Sequence, residues 1–225
     1  MKREELEHLV RAAGGLLDEL EVLVLGSQAI LGSVPDGLPR RAALSIEADL
    51  AAMVDPTQQK AMMIAGNLGE DSRFHNTFGY YADGVDVSLP RLPRGWRERL
   101  VPLRTENTNG VTAWCLDPHD LCASKLLAGR AKDIEYVRAL LVSGHVRPET
   151  LLERIGVTDA TTGEQRRIGE QLAGMRRPGR RSAFRRALRN FVASREDALP
   201  TTPPNSARPT PSTEGQSRTR TSRPR

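Results

Sequence analysis

Apolar positions recur at helical spacing from the start of the chain. Leu6, Leu9, Val10, Ala13, Leu17 and Leu20 form one stripe, which predicts a helix over residues 3–20 that Gly14-Gly15 weakens without ending. Val22-Leu23-Val24-Leu25 is too short for a helix and holds two β-branched residues, so it reads as a buried strand. Gly26-Ser27 breaks that run, and Gln28-Ala29-Ile30-Leu31 starts a helix with Ser27 near its N-cap. Residues 32–43 are rich in Gly, Pro, Asp and Arg and read as a loop. Over residues 45–50 the pattern changes to alternation: Ile46, Ala48 and Leu50 point one way, Glu47 and Asp49 the other.

The second half of this first region is helix, then sheet, then helix. Residues 56–68 predict a helix with Ala61, Met62, Ile64, Ala65 and Leu68 available to its inner face. Residues 78–81 and 84–87 predict paired strands around a turn at Asp83-Gly84. Residues 90–95 read as a loop and 96–103 as amphipathic or extended. Asn107-Thr108-Asn109-Gly110 is a turn signal ahead of a strand at 111–116. Asp117-Pro118-His119-Asp120 has the grammar of a helix start: a capping Asp, Pro in the first turn, an acid at the positive helix end. The helix is expected to run to about 142, through Gly129, and to stop at Ser143-Gly144. One or two helices follow over 146–175, starting at Pro148 and near Thr162, and another over 182–194 carries Phe184, Leu188, Phe191 and Val192 on one stripe.

The pattern fades beyond about residue 199, where Pro, Thr, Ser and Arg leave too little apolar surface to offset the entropy of ordering. The expected organisation is therefore a domain over 1–145, a helical C-terminal extension over 146–198 and a disordered basic tail over 199–225. Charge supports the last division. The net charge is +5, and residues 200–225 hold five arginines against Glu214, a surplus of +4 that leaves the rest near neutral. The two cysteines, Cys115 and Cys122, form neither a CxxC pair nor part of a four-ligand set, and read as small buried side chains of a cytoplasmic protein. No apolar run reaches the roughly 18–20 residues that a membrane span requires, so no membrane partner is expected.

The chemistry lies where the periods change. Glycine at 26 lets a phosphate approach the backbone, and Ser27 begins a helix whose free N–H groups favour an anion. Glu47 and Asp49, one residue apart on a strand, project together and suit Mg²⁺ or Mn²⁺, hard cations that take carboxylate and phosphate oxygens. Asp86, on the neighbouring expected strand, is the natural third carboxylate, although it is equally placed to cap a turn.

Gly26-Ser27-x-Ala29 followed by Glu47-x-Asp49 resembles the Gly-Ser/Gly…Asp-x-Asp signature of the DNA polymerase β-like nucleotidyltransferase superfamily. More narrowly, 45–49, 74–81, Leu92-Pro93-x-Gly95-Trp96 and the stretch from Asp120 through Ser124-Lys125-Leu126 to Gly129-Arg130-x-Lys132-Asp133 resemble an uncharacterised bacterial nucleotidyltransferase family. That family is related to the toxins of type IV toxin–antitoxin and abortive-infection systems. The resemblance covers about residues 5–145. It implies an α/β fold, with a small mixed twisted sheet flanked by helices. It also implies transfer of an NMP from an NTP to an acceptor hydroxyl, with tRNA as an acceptor and a cognate antitoxin as a partner. Residue by residue, Glu47, Asp49 and Lys125 would be catalytic. Gly26, Ser27, Lys125, Lys132 and Asp133 would meet the nucleotide, with Asp133 orienting the lysine or the acceptor. Glu47, Asp49 and Asp86 would hold the metal. The chain departs from the superfamily at Glu47, where aspartate is usual, and this keeps a catalytically degenerate nucleotide- or partner-binding module open as the alternative.

The remaining polar and aromatic residues carry less. Lysines are few, four against 29 arginines, which singles out Lys125 and Lys132, expected on one helix face. His75 and His119 read as ordinary surface residues, and Trp96, Trp114, Phe78, Tyr80 and Tyr81 as core or sheet-face residues, one tyrosine or phenylalanine being free to stack on a base. Arg176, Arg177, Arg180, Arg181, Arg185, Arg186 and Arg189 either contact RNA phosphates or form a solvated face.

Overall fold

The computed structural model describes residues 1–175 together with 186, 188–190 and 193. Its centre is a five-stranded mixed sheet in the order β3-β2-β1-β5-β4. The strands are β1 (Glu21–Val24), β2 (Glu47–Ala52), β3 (Tyr81–Gly84), β4 (Val101–Leu103) and β5 (Thr112–Cys115). β1 lies in the middle, antiparallel to β2 and parallel to β5; β2 continues in parallel to β3, and β5 in antiparallel to β4.

Alternation along the strands divides the sheet into two faces. Val22 and Val24 of β1, Ala48 and Leu50 of β2, Ala82 of β3 and Ala113 and Cys115 of β5 enter the main core. Leu23, Leu25 and Ala51 face the other way and form a smaller cluster with Val85, Trp96 and Trp114. Glu47 and Asp49 alternate with the buried Ala48 and Leu50, so both carboxylates project from the face that carries the smaller cluster. Each large side chain sunk in the main core, such as Leu50 or Ile64, contributes roughly 1.5–3 kcal/mol by leaving water.

The main core is closed by α1 (Arg3–Leu17), α2 (Ile30–Ser33), α3 (Gln59–Leu68), α4 (Arg73–Phe78), α5 (Pro118–Ala128), α6 (Ala131–Ser143), α7 (Pro148–Gly156) and α8 (Thr162–Met175). α3 packs flush on β3: a Cβ at Gly84 would lie 1.8 Å from the Ala61 carbonyl oxygen. α7 and α8, in the segment expected as a helical C-terminal extension, share this core through Leu151, Ile155, Ile168 and Leu172. Leu188 reaches the same layer and seats against Gly169, where a Cβ would lie 2.1 Å from its Cδ1. Asp120, fully buried on α5, lies between Arg99 Nε at 2.8 Å and Arg154 Nε at 2.9 Å, and so ties the segment before β4 to α5 and α7.

The α/β class and the helix-flanked mixed sheet are as expected, and several local expectations are corrected. The hairpin expected over 78–87 is absent. Phe78 ends α4, Gly79 follows in the left-handed region (φ 79°), and β3 is a single strand beside β2. The long helix expected from 117 to 142 is two helices. Asp117 caps α5 as expected, its carboxylate accepting from the His119 and Asp120 N–H groups, but Gly129 (φ 67°) ends that helix and Arg130 starts α6. Ile46 is 47% exposed rather than core, because it precedes β2. Trp96 and Trp114 are half-buried at the smaller cluster, and the Trp114 indole N–H donates to Glu21 at 2.9 Å. Of the helix expected over 182–194, residues 186, 188–190 and 193 are helical. Phe184, Phe191, Val192, most of the arginine run and the tail from 199 lie outside the described residues. No helix among the described residues is long and apolar enough to cross a membrane.

Candidate active site

β1 delivers the chain to Gly26, and the next residues form a 3-10 turn (Ser27–Ala29) that leads into the single turn of α2. The expected helix after Ser27 is therefore short. Gly26 has φ −80°, an ordinary backbone angle, so its need for glycine is steric. A Cβ there would sit 1.4 Å from Asp49 Oδ2. The glycine and the strand carboxylate belong to one device: the missing side chain is the space into which Asp49 leans. The backbone secures the same approach, with the Leu25 N–H donating to the Asp49 carbonyl at 3.0 Å.

A cleft of about 970 Å³ opens beside this contact, and Ser27, Glu47, Asp49, Lys125, Lys132 and Asp133 all line it. Lys125 comes from α5, and Lys132 and Asp133 from α6, across the Gly129 corner. The lysines therefore reach the cleft from two helices, not from one continuous face. Lys125 Nζ donates to Asp133 Oδ1 at 3.0 Å, and Arg130 Nε donates to Asp133 Oδ2 at 2.6 Å. Asp133 is only 1% exposed, so its two partners satisfy a charge that water does not reach.

The carboxylates on the two walls are poised in opposite directions. Burial pushes Asp49 above the usual carboxylate range; Lys125 opposes that, while Asp83 adds to it. Glu47 is raised by burial and by the charges of Asp49 and Asp83, against the pull of Lys132. Burial also pushes Asp133 upward, but the hydrogen bonds from Arg130 and Lys125 outweigh it and hold Asp133 below its ordinary value.

Asp83 is the carboxylate that sequence reasoning missed. In the parallel β2–β3 register, Asp83 is the partner of Asp49, and Tyr81 of Glu47, so these side chains share the carboxylate face. Its signal was the alternation Tyr81, Ala82, Asp83 around a buried alanine, which the Asp83-Gly84 turn reading hid. Asp86 lies beyond the end of β3 on the cleft wall. There its Oδ1 accepts from the Ser88 N–H at 2.8 Å and its Oδ2 from Gln58 Nε2 at 2.7 Å, which is the turn-capping alternative. Tyr81, raised by burial and by the neighbouring Glu47, Glu70 and Asp83 charges, borders the carboxylates. Tyr136 of α6 is a second residue not singled out in the sequence: its hydroxyl donates to the Ser27 carbonyl at 2.7 Å.

Neither histidine of interest enters this arrangement. His75 Nδ1 accepts from the Asp71 N–H at 3.0 Å, a local backbone contact, and His119 Nε2 accepts from the Arg147 N–H at 3.1 Å, which ties α5 to the start of α7. Phe78 is 47% exposed at an aromatic group with His8, Phe74 and Tyr80, away from the cleft lining. Among the described residues, no group of three or more His, Cys, Asp or Glu side chains is drawn closely enough together to hold a metal by itself. The donor set that does line the cleft, oxygen-only and charged, suits a hard cation whose remaining ligands are phosphate oxygens and water.

Compared with known protein families, residues 4–175 match the model described as "Nucleotidyltransferase of unknown function (DUF6036)". The searches of curated proteins and of solved structures found no match.

Proposed function

The chain belongs to this nucleotidyltransferase family, and from that premise we propose that the cleft transfers an NMP from an NTP to an acceptor hydroxyl. The observation that carries the reading is the Glu47–Asp49 pair, with Asp49 leaning on Gly26, opposite Lys125 in one cleft. In this reading the acceptor oxygen bonds to the α-phosphorus, the α–β phosphoanhydride bond breaks and pyrophosphate leaves. The proton of the hydroxyl passes to a carboxylate of the Asp49–Asp83 pair. Lys125 neutralises phosphate charge, Lys132 adds positive charge at the mouth, and the Ser27 turn meets the phosphates. Asp133 holds the Lys125 ammonium in place at 3.0 Å.

Glu47 and Asp49 would hold Mg²⁺ or Mn²⁺, with phosphate oxygens and water as the remaining ligands and Asp83, the strand partner of Asp49, adding negative charge on the same sheet face. The fit rests on the oxygen-only donor set and on two carboxylates raised by burial and by neighbouring acids (Asp49 and Asp83 acting on Glu47, Asp83 on Asp49), a cost that a bound cation would relieve. When bound, the ion would neutralise the departing pyrophosphate and activate the acceptor hydroxyl. A tRNA acceptor, a growth-arresting toxin role and a cognate antitoxin extend the same proposal, supported by the resemblance of 120–133 to toxin nucleotidyltransferases.

The test is purified protein with α-labelled NTPs, Mg²⁺ or Mn²⁺, and total RNA. The expected result is labelled acceptor with wild type and none with the Glu47→Ala/Asp49→Ala double variant; equal labelling would refute the assignment. For the toxin role, induced expression should arrest growth, and unaffected growth would refute it. The second reading is a module that binds nucleotide without turning it over, favoured by glutamate at position 47 and by the lack of a closed ligand group among the described residues. It predicts nucleotide binding with little metal dependence and no transfer.

A further inference from the structure

Tyr136 joins the two parts of the cleft that come from distant segments of chain. It lies on α6, one helical turn beyond Asp133, and is 5% exposed. Its hydroxyl donates to the Ser27 carbonyl at 2.7 Å, 109 positions away in sequence. Its ring carries the Lys125 ammonium 4.7 Å from the centroid, a cation–π distance. Lys125 is thus held from two sides, by the ring face and by Asp133 Oδ1 at 3.0 Å. An ammonium has three donors, so these contacts still leave N–H groups for a ligand in the cleft that Lys125 lines.

The hydroxyl contact also has a consequence for the turn. A peptide unit is planar, with its C=O and N–H pointing in opposite directions. Anchoring the Ser27 carbonyl therefore fixes the orientation of the Gln28 N–H as well. Burial holds the Tyr136 hydroxyl well above its ordinary pKa, so it remains a donor across the physiological range.

We propose that Tyr136 is a positioning residue that sets the separation between the Lys125 ammonium and the Gly26-Ser27 turn, so that both grip one triphosphate. The inference rests on the nucleotidyltransferase reading of the cleft. It divides Tyr136 into two separable parts: the ring places the lysine, and the hydroxyl places the turn. A tyrosine serving only to fill the core would need neither contact to coincide with the cleft.

The experiment uses the full chain and a non-hydrolysable NTP with Mg²⁺, titrated by calorimetry into wild type, Tyr136→Phe, Tyr136→Leu and a control, Leu140→Val. Leu140 is fully buried on the same helix and lies outside the cleft lining. The chain has four lysines, so their side-chain methylene resonances are few enough to assign by substitution. Tyr136→Phe is expected to bind about 3–10-fold more weakly, from the lost hydrogen bond, with the Lys125 resonance keeping its ring-current shift. Tyr136→Leu should bind at least about 10-fold more weakly and lose that shift. Leu140→Val should lower thermal stability while binding as wild type does. Wild-type affinity in both Tyr136 variants would overturn the inference and leave the nucleotidyltransferase reading standing. No binding by wild type, at any Mg²⁺ concentration, would overturn that reading and this inference with it.

Discussion

The two walls of the cleft handle buried negative charge in opposite ways. At the α5–α6 corner, Asp133 is sealed from water but paired with Lys125 and Arg130, and its carboxyl is held below its ordinary value. On β2, Glu47 and Asp49 are partly buried beside Asp83, and burial together with the acidic neighbours raises both. The first wall is electrostatically complete and serves architecture: it fixes where Lys125 stands. The second carries charge that the protein leaves incompletely balanced, as expected of a site whose counter-charge arrives with a ligand. A family assignment alone does not distinguish these walls; the partners of each carboxylate do.

The difference is largest in activity. Glu47→Gln/Asp49→Asn should lower NTP-dependent transfer by about 10²–10³-fold or more while folding stability holds or rises at neutral pH, checked by label transfer and urea denaturation. The sign follows from the raised native pKa values: ionising these groups costs the folded state more than the unfolded chain. Any stability that wild type has relative to the variant is therefore present below the unfolded carboxylate range, and it declines as the pH rises through the native values. A variant that loses several kcal/mol at pH 7 would mean that the β2 wall is as fully paired as the corner.

Next is the contact between glycine and carboxylate. Gly26→Ala should cost about 1–3 kcal/mol and much of the activity, because the added methyl group occupies the place of Asp49 Oδ2. In an Asp49→Ala background the same change should cost far less stability, and a double-mutant cycle by denaturation measures the coupling. Additive effects would contradict the packing account.

At the corner, Asp133→Asn should destabilise the fold by about 2 kcal/mol. This is below the roughly 3–5 kcal/mol for a wholly buried pair, because Arg130 is 63% exposed. Here the pH dependence reverses. A depressed native pKa contributes stability above the unfolded carboxylate range and loses it as the pH falls through the native value, so the gap between variant and wild type should close in acid. The smallest effect is expected at Gly129→Ala, about 1 kcal/mol from forcing a side chain into the left-handed region at φ 67°, read as a shift in melting temperature.

What the sequence revealed of the site was what depends on local period. Alternation placed Glu47 and Asp49 on one strand face, and the break at Gly26-Ser27 marked the turn that Asp49 leans on. What it hid depends on competing local signals and on register. Asp83-Gly84 has the composition of a hairpin turn, yet the run is a strand whose pairing with β2 is set by the packing of α3 over Gly84. Gly129 read as a tolerated glycine within a helix, although a left-handed cap is the conformation glycine adopts most cheaply. Tyr136 left no local trace, because its partners Ser27 and Lys125 meet it only after the sheet and helices have assembled.

The unequal walls meet their most direct test in the binding of Mn²⁺ to the full chain with a non-hydrolysable NTP, followed by electron paramagnetic resonance. A bound Mn²⁺ signal should appear with wild type, persist in Asp133→Asn and vanish in Glu47→Gln/Asp49→Asn. Equal Mn²⁺ binding by wild type and the β2 double variant would contradict the assignment of the strand carboxylates as the cation-seeking wall.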